Sequence, residues 1–91
     1  MEDTYFVSSV AKLTGTTTRQ IREWTKHGYL GEVPEINWGK HKAPVYSQDH
    51  VDRVAMIVKF KEEGYTLQAA VLLMQEQFEK ANEVKLDSTV G

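Results

Sequence analysis

The sequence predicts a mainly α-helical domain that contains four helices and a two-stranded β-hairpin. Two short segments with helical spacing, residues 8–14 and 18–27, are separated by a turn rich in threonine and glycine. Residues 35–46 then hold two short β-like runs around a cationic turn. Two longer segments with helical spacing follow, residues 48–63 and 67–84, and each begins after a hydroxyl residue that can cap a helix.

A chain of 91 residues allows one domain, residues 1–91, with a core region at 5–74 and a helical extension at 75–84. By size scaling, such a domain buries roughly 60–65% of its unfolded surface, which gives modest stability without a partner. The absence of cysteine excludes disulfides and thiolate metal sites, and it suits a cytoplasmic protein. No apolar run is long enough to span a bilayer and no signal-peptide pattern opens the chain, so we expect no membrane association.

The net charge of −2 hides an uneven distribution of charge along the chain. Between Ala11 and Lys61, nine basic and five acidic residues give a net charge of +4, whereas the two ends combine two basic with eight acidic residues for −6. A basic middle is typical of a domain that binds nucleic acid. The alternative is a surface of scattered, solvated charges.

The second predicted helix combines an apolar face with a cationic one. Thr17 is the expected N-cap, because its hydroxyl can accept a hydrogen bond from the backbone of Gln20, and Gly28 can end the helix. Ile21 and Trp24 lie three residues apart and therefore share the buried face, so Trp24 is interpreted as core rather than as a base-stacking residue. The other expected core positions are Val7, Val10, Ala11 and Leu13 in the first helix, and Tyr29 and Leu30 after the turn.

Two short helices around such a turn, the second of them cationic, are typical of a helix-turn-helix, and the hairpin makes the predicted fold a winged helix-turn-helix. Arg19 suits bidentate contact with guanine, whereas Gln20 can turn toward adenine or contact phosphate. Arg22 has an alternative role as the partner of an acidic residue of the third helix. We expect base contacts from Thr18, Arg19 and Gln20, and phosphate contacts from Thr17, Arg22, Lys26, Lys40, His41 and Lys42.

The predicted wing is a hairpin with a cationic tip. Its strands are expected at Glu35–Trp38 and Ala43–Tyr46, on either side of Gly39–Lys42. Pro44 limits its strand to an edge, as a two-stranded wing requires. Trp38 is expected to pack beneath the wing or to brace it against the second helix. The alternative is an irregular loop with incidental lysines.

The third helix is predicted to complete the core. Ser47 is its expected N-cap, and Gly64 is expected in the left-handed conformation after its end, with Tyr65 packing back across the turn. Its apolar face is expected to contain Val51, Val54, Ala55, Ile57, Val58 and Phe60.

The fourth helix, with Thr66 as its cap, carries an apolar seam whose members alternate steps of four and three residues. Such a seam is either an oligomerisation surface or, as far as Met74, part of the core. Residues 85–91 are expected to form a disordered tail. The seam consists of Leu67, Val71, Met74, Phe78 and Ala81.

Several short motifs follow one another along the chain in a characteristic order: Val10–Gly15, Arg19–Trp24, Gly28–Leu30, Tyr46–Ser47, Asp49–Val51, Ile57 and Gly64–Leu67. Together they resemble the N-terminal domain of MerR-family transcriptional regulators, and the resemblance covers about residues 5–74. It is specific as an ensemble, because the helix-turn-helix, the hairpin and the Gly-aromatic-Thr-Leu turn all stand at the family's spacing.

The resemblance implies a DNA-binding transcription regulator of bacterial or phage origin, associated with the nucleoid. The second helix would enter the major groove, and the hairpin Gly39–Lys42 would lie along an adjacent groove or the backbone. Arg19 and Arg22 match DNA-contacting positions of the family, and Tyr46 matches a tyrosine after the wing that often contacts phosphate. Because one such module binds weakly, we expect a homodimer or a cooperative oligomer on double-stranded DNA.

The chain also departs from the family pattern. Pro44 stands where the family's wing has an arginine, so Lys40 or Lys42 must supply that charge. Glu23–Trp24 replaces two tyrosines that are common in activators. Little sequence follows Val84 for the long dimerisation helix and effector domain of typical members, which indicates an isolated DNA-binding portion, a small effectorless member or an excisionase-like architectural protein.

An enzyme is not expected. His27, His41 and His50 lack the spacing of metal ligands, and neither a Gly-rich phosphate loop nor a serine elbow is present. We therefore expect no metal and no cofactor. A hypothesis of a different class is a protein-docking or segregation adaptor that binds its partner through the acidic C-terminal helix.

Overall fold

The computed structural model describes residues 4–90, and side chains for residues 4–80. This part of the chain contains four helices and one antiparallel two-stranded sheet, so the predicted winged helix-turn-helix is confirmed. None of the described helices is both long and apolar enough to cross a membrane. In chain order the elements are α1 (Val7–Thr14), α2 (Thr18–Lys26), β1 (Glu35–Trp38), β2 (His41–Pro44), α3 (Gln48–Glu62) and α4 (Leu67–Val90).

The turn between α1 and α2 forms as the sequence predicts. Gly15 ends α1 with a φ of 75°, a left-handed conformation that side chains disfavour, and its N–H donates to the carbonyl oxygen of Ala11 at 2.9 Å. The Thr17 hydroxyl oxygen then accepts from the backbone N–H of Gln20 at 3.1 Å, which confirms Thr17 as the N-cap of α2. This turn fixes the direction in which α2 leaves α1.

The core lies where α1, α2, α3 and the first turns of α4 meet. Trp24 is 3% exposed and Leu30 1%, which confirms both as core residues. Leu13 was wrongly predicted to be buried, because it is 61% exposed. The inward stripe of α1 runs along Val7, Val10 and Ala11, and at 3.6 residues per turn Leu13 points away from it. The largest fully buried side chains are Val10, Ile21, Leu30, Tyr46, Val54, Ile57 and Met74.

The hairpin is tighter than predicted. β2 covers His41–Pro44 rather than the predicted Ala43–Tyr46, since Trp38 pairs with His41 across a turn of only Gly39 and Lys40. The positive φ of Gly39, 64°, permits this short turn.

Below the wing, Tyr46 forms an isolated bridge with Tyr5 instead of extending β2. The backbones of these two tyrosines exchange hydrogen bonds of 2.8 Å in both directions. Val45 also donates its N–H to the Pro34 carbonyl oxygen at 2.8 Å. The base of the wing is thereby attached to the N-terminal segment.

The N-terminus of α3 is capped by a reciprocal pair that also holds the linker. The Ser47 N–H donates to His50 Nδ1 at 3.0 Å, so the ring's proton lies on Nε2, 2.9 Å from the Glu32 carbonyl oxygen that accepts it. His50 thus occupies the position that Glu or Gln takes in the usual capping box. Ala55, which the spacing placed on the apolar face of α3, is exposed.

The turn from α3 to α4 matches the prediction. Gly64 has a φ of 107°, and the Tyr65 ring packs edge-on against Phe60 with ring centroids 5.7 Å apart. The Thr66 hydroxyl oxygen accepts from the N–H of Ala69 at 3.2 Å and caps α4.

The seam of α4 belongs to the core rather than to a free surface. Val71 is 5% exposed and Met74 0%, so predicting these two as oligomerisation contacts was wrong. Leu67 and Phe78 are half-buried, and the Arg53 guanidinium of α3 lies 4.4 Å from the centre of the Phe78 ring. The first half of the seam therefore binds α3 of the same chain, and the Ala81 side chain lies outside the described residues.

The backbone of α4 continues to Val90, past residue 84, where the sequence places the end of the helix and a tail at 85–91. No glycine or proline interrupts α4, and most of its residues are good helix formers. Gly91 lies outside the described residues.

Candidate nucleic-acid interface

α2 separates its buried and exposed residues sharply. Ile21 and Trp24 face the core, whereas Thr18, Arg19 and Arg22 are exposed. Together with Lys26, also exposed, these three residues form what is called here the cationic face of α2. It borders a shallow depression of about 340 Å³ lined by Thr18, Arg19, Arg22, Glu23, Lys26 and His27.

The arginines and the lysine of the cationic face form no ion pair with any other side chain that the structure describes. Among the described side chains, the one contact within ion-pair distance joins the His27 ring to the Glu23 carboxylate at 4.0 Å, with both partners more than half exposed. The alternative role of Arg22, a salt bridge to an acid of α3, is therefore not formed. The charges of Arg19, Arg22 and Lys26 remain available for an anionic partner.

The first turn of α2 is held by two threonines that precede Gln20. The Thr17 hydroxyl oxygen caps the backbone, and the Thr16 hydroxyl donates to the Gln20 side-chain carbonyl oxygen. Because the side-chain oxygen of Gln20 accepts this hydrogen bond, its amide NH₂ is the group that can donate to a partner outside the protein. Thr17 keeps its hydroxyl proton for an outside acceptor.

The wing carries exposed basic side chains on both faces. Lys40 lies in the turn, and His41 and Lys42 follow on β2, where successive side chains point to opposite faces. Trp38 is 65% exposed and contacts Phe6, with ring centroids 5.7 Å apart, so it neither packs beneath the wing nor braces it against α2. Phe6 is the residue that precedes α1, so the wing is braced against the start of that helix.

Tyr46, predicted by resemblance to contact phosphate, is a core residue with 1% exposure. Its hydroxyl lies 2.8 Å from Thr25 Oγ1, and because that threonine donates its own proton to the Ile21 carbonyl oxygen, Tyr46 donates to Thr25. Burial raises the pKa of Tyr46 above its usual 10.0, and the nearby Arg22 charge opposes this effect. The bridge to Tyr5 turns this side chain inward, which contradicts the phosphate contact.

Tyr46→Phe is expected to lower the free energy of unfolding by about 1 kcal/mol, because it removes one buried hydrogen bond without opening a cavity. DNA affinity should stay unchanged. Urea denaturation and fluorescence anisotropy with a DNA duplex measure the two quantities, with Tyr65→Phe in the exposed α3–α4 turn as the control. If Tyr46→Phe lost DNA affinity while its free energy of unfolding stayed unchanged, the result would indicate that Tyr46 contacts phosphate.

The second helix of this helix-turn-helix exposes arginines that pair with no acid in the described part of the chain, and a cationic hairpin follows. These features define a winged helix-turn-helix DNA-binding domain. Among the described residues no cluster of three or more His, Cys, Asp or Glu is arranged to hold a metal ion.

The family described as MerR HTH family regulatory protein matches residues 5–77. This match spans most of the chain, so the chain belongs to the MerR HTH family, whose members are DNA-binding transcription regulators and in general not enzymes. A search of curated proteins found no significant match.

Proposed function

We propose that the protein regulates transcription by binding a specific double-stranded DNA site, with α2 in the major groove and the wing on the adjacent groove or backbone. The observation that carries this proposal is the cationic face of α2, which is exposed and has no internal ion pair among the described side chains. A helix in the major groove meets base edges with its N-terminal residues and phosphates with the rest.

The residues proposed to contact DNA bases lie in the first turn of α2. Arg19 presents a forked guanidinium that matches the two acceptors of guanine, and such a pair discriminates against a wrong base by about 1–3 kcal/mol. The outward NH₂ of Gln20 suits an acceptor on a base edge or a phosphate oxygen, and the Thr18 hydroxyl can accept or donate.

Phosphate binding is proposed for the remaining basic side chains and for the Thr17 hydroxyl. Five or six such contacts imply that log affinity falls with log salt concentration with a slope of about −5. Because these contacts do not depend on sequence, they set the position of the domain on the duplex rather than its choice of site. The residues proposed for this role are Thr17, Arg22 and Lys26 of α2 and its cap, and Lys40, His41 and Lys42 of the wing.

We further propose that the protein binds as a homodimer whose two domains occupy half-sites about one helical turn, or about 34–36 Å, apart. The proposed contact region is the part of α4 after Met74, since the part before it is occupied by α3. Just before this region, Leu72 is 62% exposed beside the buried stripe and extends the proposed contact surface.

Selection of binding sites from a random duplex pool, followed by footprinting and sedimentation, tests the proposal. We expect an enriched motif with two related half-sites and a protein-to-duplex ratio of two to one. Binding without any enriched motif would contradict sequence-specific regulation. A strict monomer on a single half-site would contradict the homodimer alone.

A further inference from the structure

The wing displays an apolar surface that its own fold does not cover. Trp38 is 65% exposed, and Ile36, two residues earlier on the same face of β1, is 40% exposed. Phe6 adds a ring that is 39% exposed. Single exposed apolar residues are common, but a contiguous group marks a contact surface.

The Trp38 ring is held in place before any partner binds. Its contact with Phe6 is edge-to-face, with an angle of 64° between the ring planes, and Phe6 is fixed in turn at the start of α1. Cross-strand pairing with His41 fixes the backbone of Trp38 next to the turn. A large ring held this way loses little conformational freedom when it binds.

The charges around Trp38 select the kind of partner. Lys40 is two residues away in the turn and His41 pairs with Trp38 across the hairpin, whereas Lys42 lies next along β2 on the opposite face; all three are exposed. A DNA minor groove has apolar sugar walls and anionic phosphate rims, and proteins bind it with basic side chains combined with apolar wedges. The indole N–H is donor-only, and at A·T pairs the minor groove presents only acceptors.

We propose that Trp38 is a DNA-contacting residue of the wing, whose indole packs against the walls of the minor groove while the neighbouring cations bind its phosphate rims. This inference rests on the proposed function, because it requires that the wing reach the duplex. It adds an apolar contact to an interface otherwise described by charges and hydrogen bonds.

Acrylamide quenching of tryptophan fluorescence tests the inference directly. The chain has two tryptophans, and Trp24 is 3% exposed, so the quenchable signal comes from Trp38. At a DNA concentration that saturates binding by anisotropy, we expect the quenching constant to fall toward the value measured for Trp38→Phe, which reports Trp24 alone.

Two variants separate an apolar contact from a charge contact. Trp38→Ala should weaken binding about tenfold, as loss of a ring–nucleotide contact does, and leave the salt slope unchanged. Lys42→Ala should reduce the magnitude of that slope by about one. Trp38→Phe should retain most of the affinity, and melting temperatures of all variants verify that the fold is intact.

The outcomes distinguish the inference from the function on which it rests. Saturated DNA binding with Trp38 still fully quenchable, or unchanged affinity in Trp38→Ala, overturns the inference and leaves the regulator proposal standing. The exposed apolar group would then serve a protein partner. Failure of the unaltered protein to bind any duplex overturns both.

Discussion

Arg19→Ala is expected to abolish site discrimination at one base pair and to weaken specific binding by about 1–3 kcal/mol, roughly five- to 150-fold. Arg19 is exposed at the start of α2, and no acidic side chain among the described residues pairs with it. Without Arg19, the two acceptor atoms of one guanine have no hydrogen-bond donor from the protein. Competition between the selected duplex and single-base variants of it, followed by anisotropy, measures the effect.

Two matched variants sharpen this prediction. Arg19→Lys keeps the charge but loses the planar fork, so the salt slope should persist while the base preference is lost. Lys12→Ala removes an exposed charge on α1 and should change neither quantity. Equal weakening on all duplexes by Arg19→Ala would show that Arg19 contacts phosphate instead of a base.

Trp24→Ala is expected to remove most of the stability of the domain. Trp24 is 3% exposed in the core beneath α2, and truncation of a buried aromatic ring costs about 3–5 kcal/mol. The whole free energy of unfolding of a domain is typically about 5–15 kcal/mol, and a small domain lies toward the lower end. We expect the urea midpoint to fall steeply and DNA binding to disappear with the fold.

The second tryptophan provides the control. Trp38→Ala removes the same side chain from an exposed position and should lower the free energy of unfolding by far less than Trp24→Ala. Similar losses in the two variants would show that the wing and its Phe6 contact are part of the cooperative core. That result would contradict the separation of structural and DNA-facing roles described above.

Local chemistry explains why the helices and their ends could be predicted. Thr17 and Thr66 cap α2 and α4 because hydroxyl side chains satisfy the first backbone N–H groups, an effect confined to neighbouring residues. Trp24 could be placed in the core because it shares a helix face with Ile21. These features depend on spacing within one element.

The errors concern contacts between elements. Tyr46 is the last residue of a predicted β-like run, but its pairing with Tyr5, more than forty residues away in sequence, decides which way its side chain points. Val71 and Met74 have the spacing of an oligomerisation seam, and nothing in the spacing says whether α3 or a second chain covers them. The two-residue turn at Gly39 shifted β2, because hairpin register depends on turn type.

The cationic face of α2 could be predicted from composition and periodicity, but the exposure of Trp38 could not. A two-stranded hairpin has one face toward the domain and one toward solvent, and an aromatic residue can lie on either. The four residues of β1 give too short a pattern to predict on which face Trp38 lies. Exposure of all four β1 residues is a property of the folded wing.

The central claim is that α2 and the wing face one duplex together, and directed DNA cleavage tests it. The chain has no cysteine, so Lys26→Cys on α2 and Asn37→Cys on the wing each allow attachment of one iron–EDTA group, with Glu63→Cys in the exposed α3–α4 turn as the control. We expect cleavage from the first two positions in adjacent grooves on one face of the selected duplex, within about half a helical turn, and none from the control. Cleavage on opposite faces of the duplex, or from only one of the two positions, would contradict the claim.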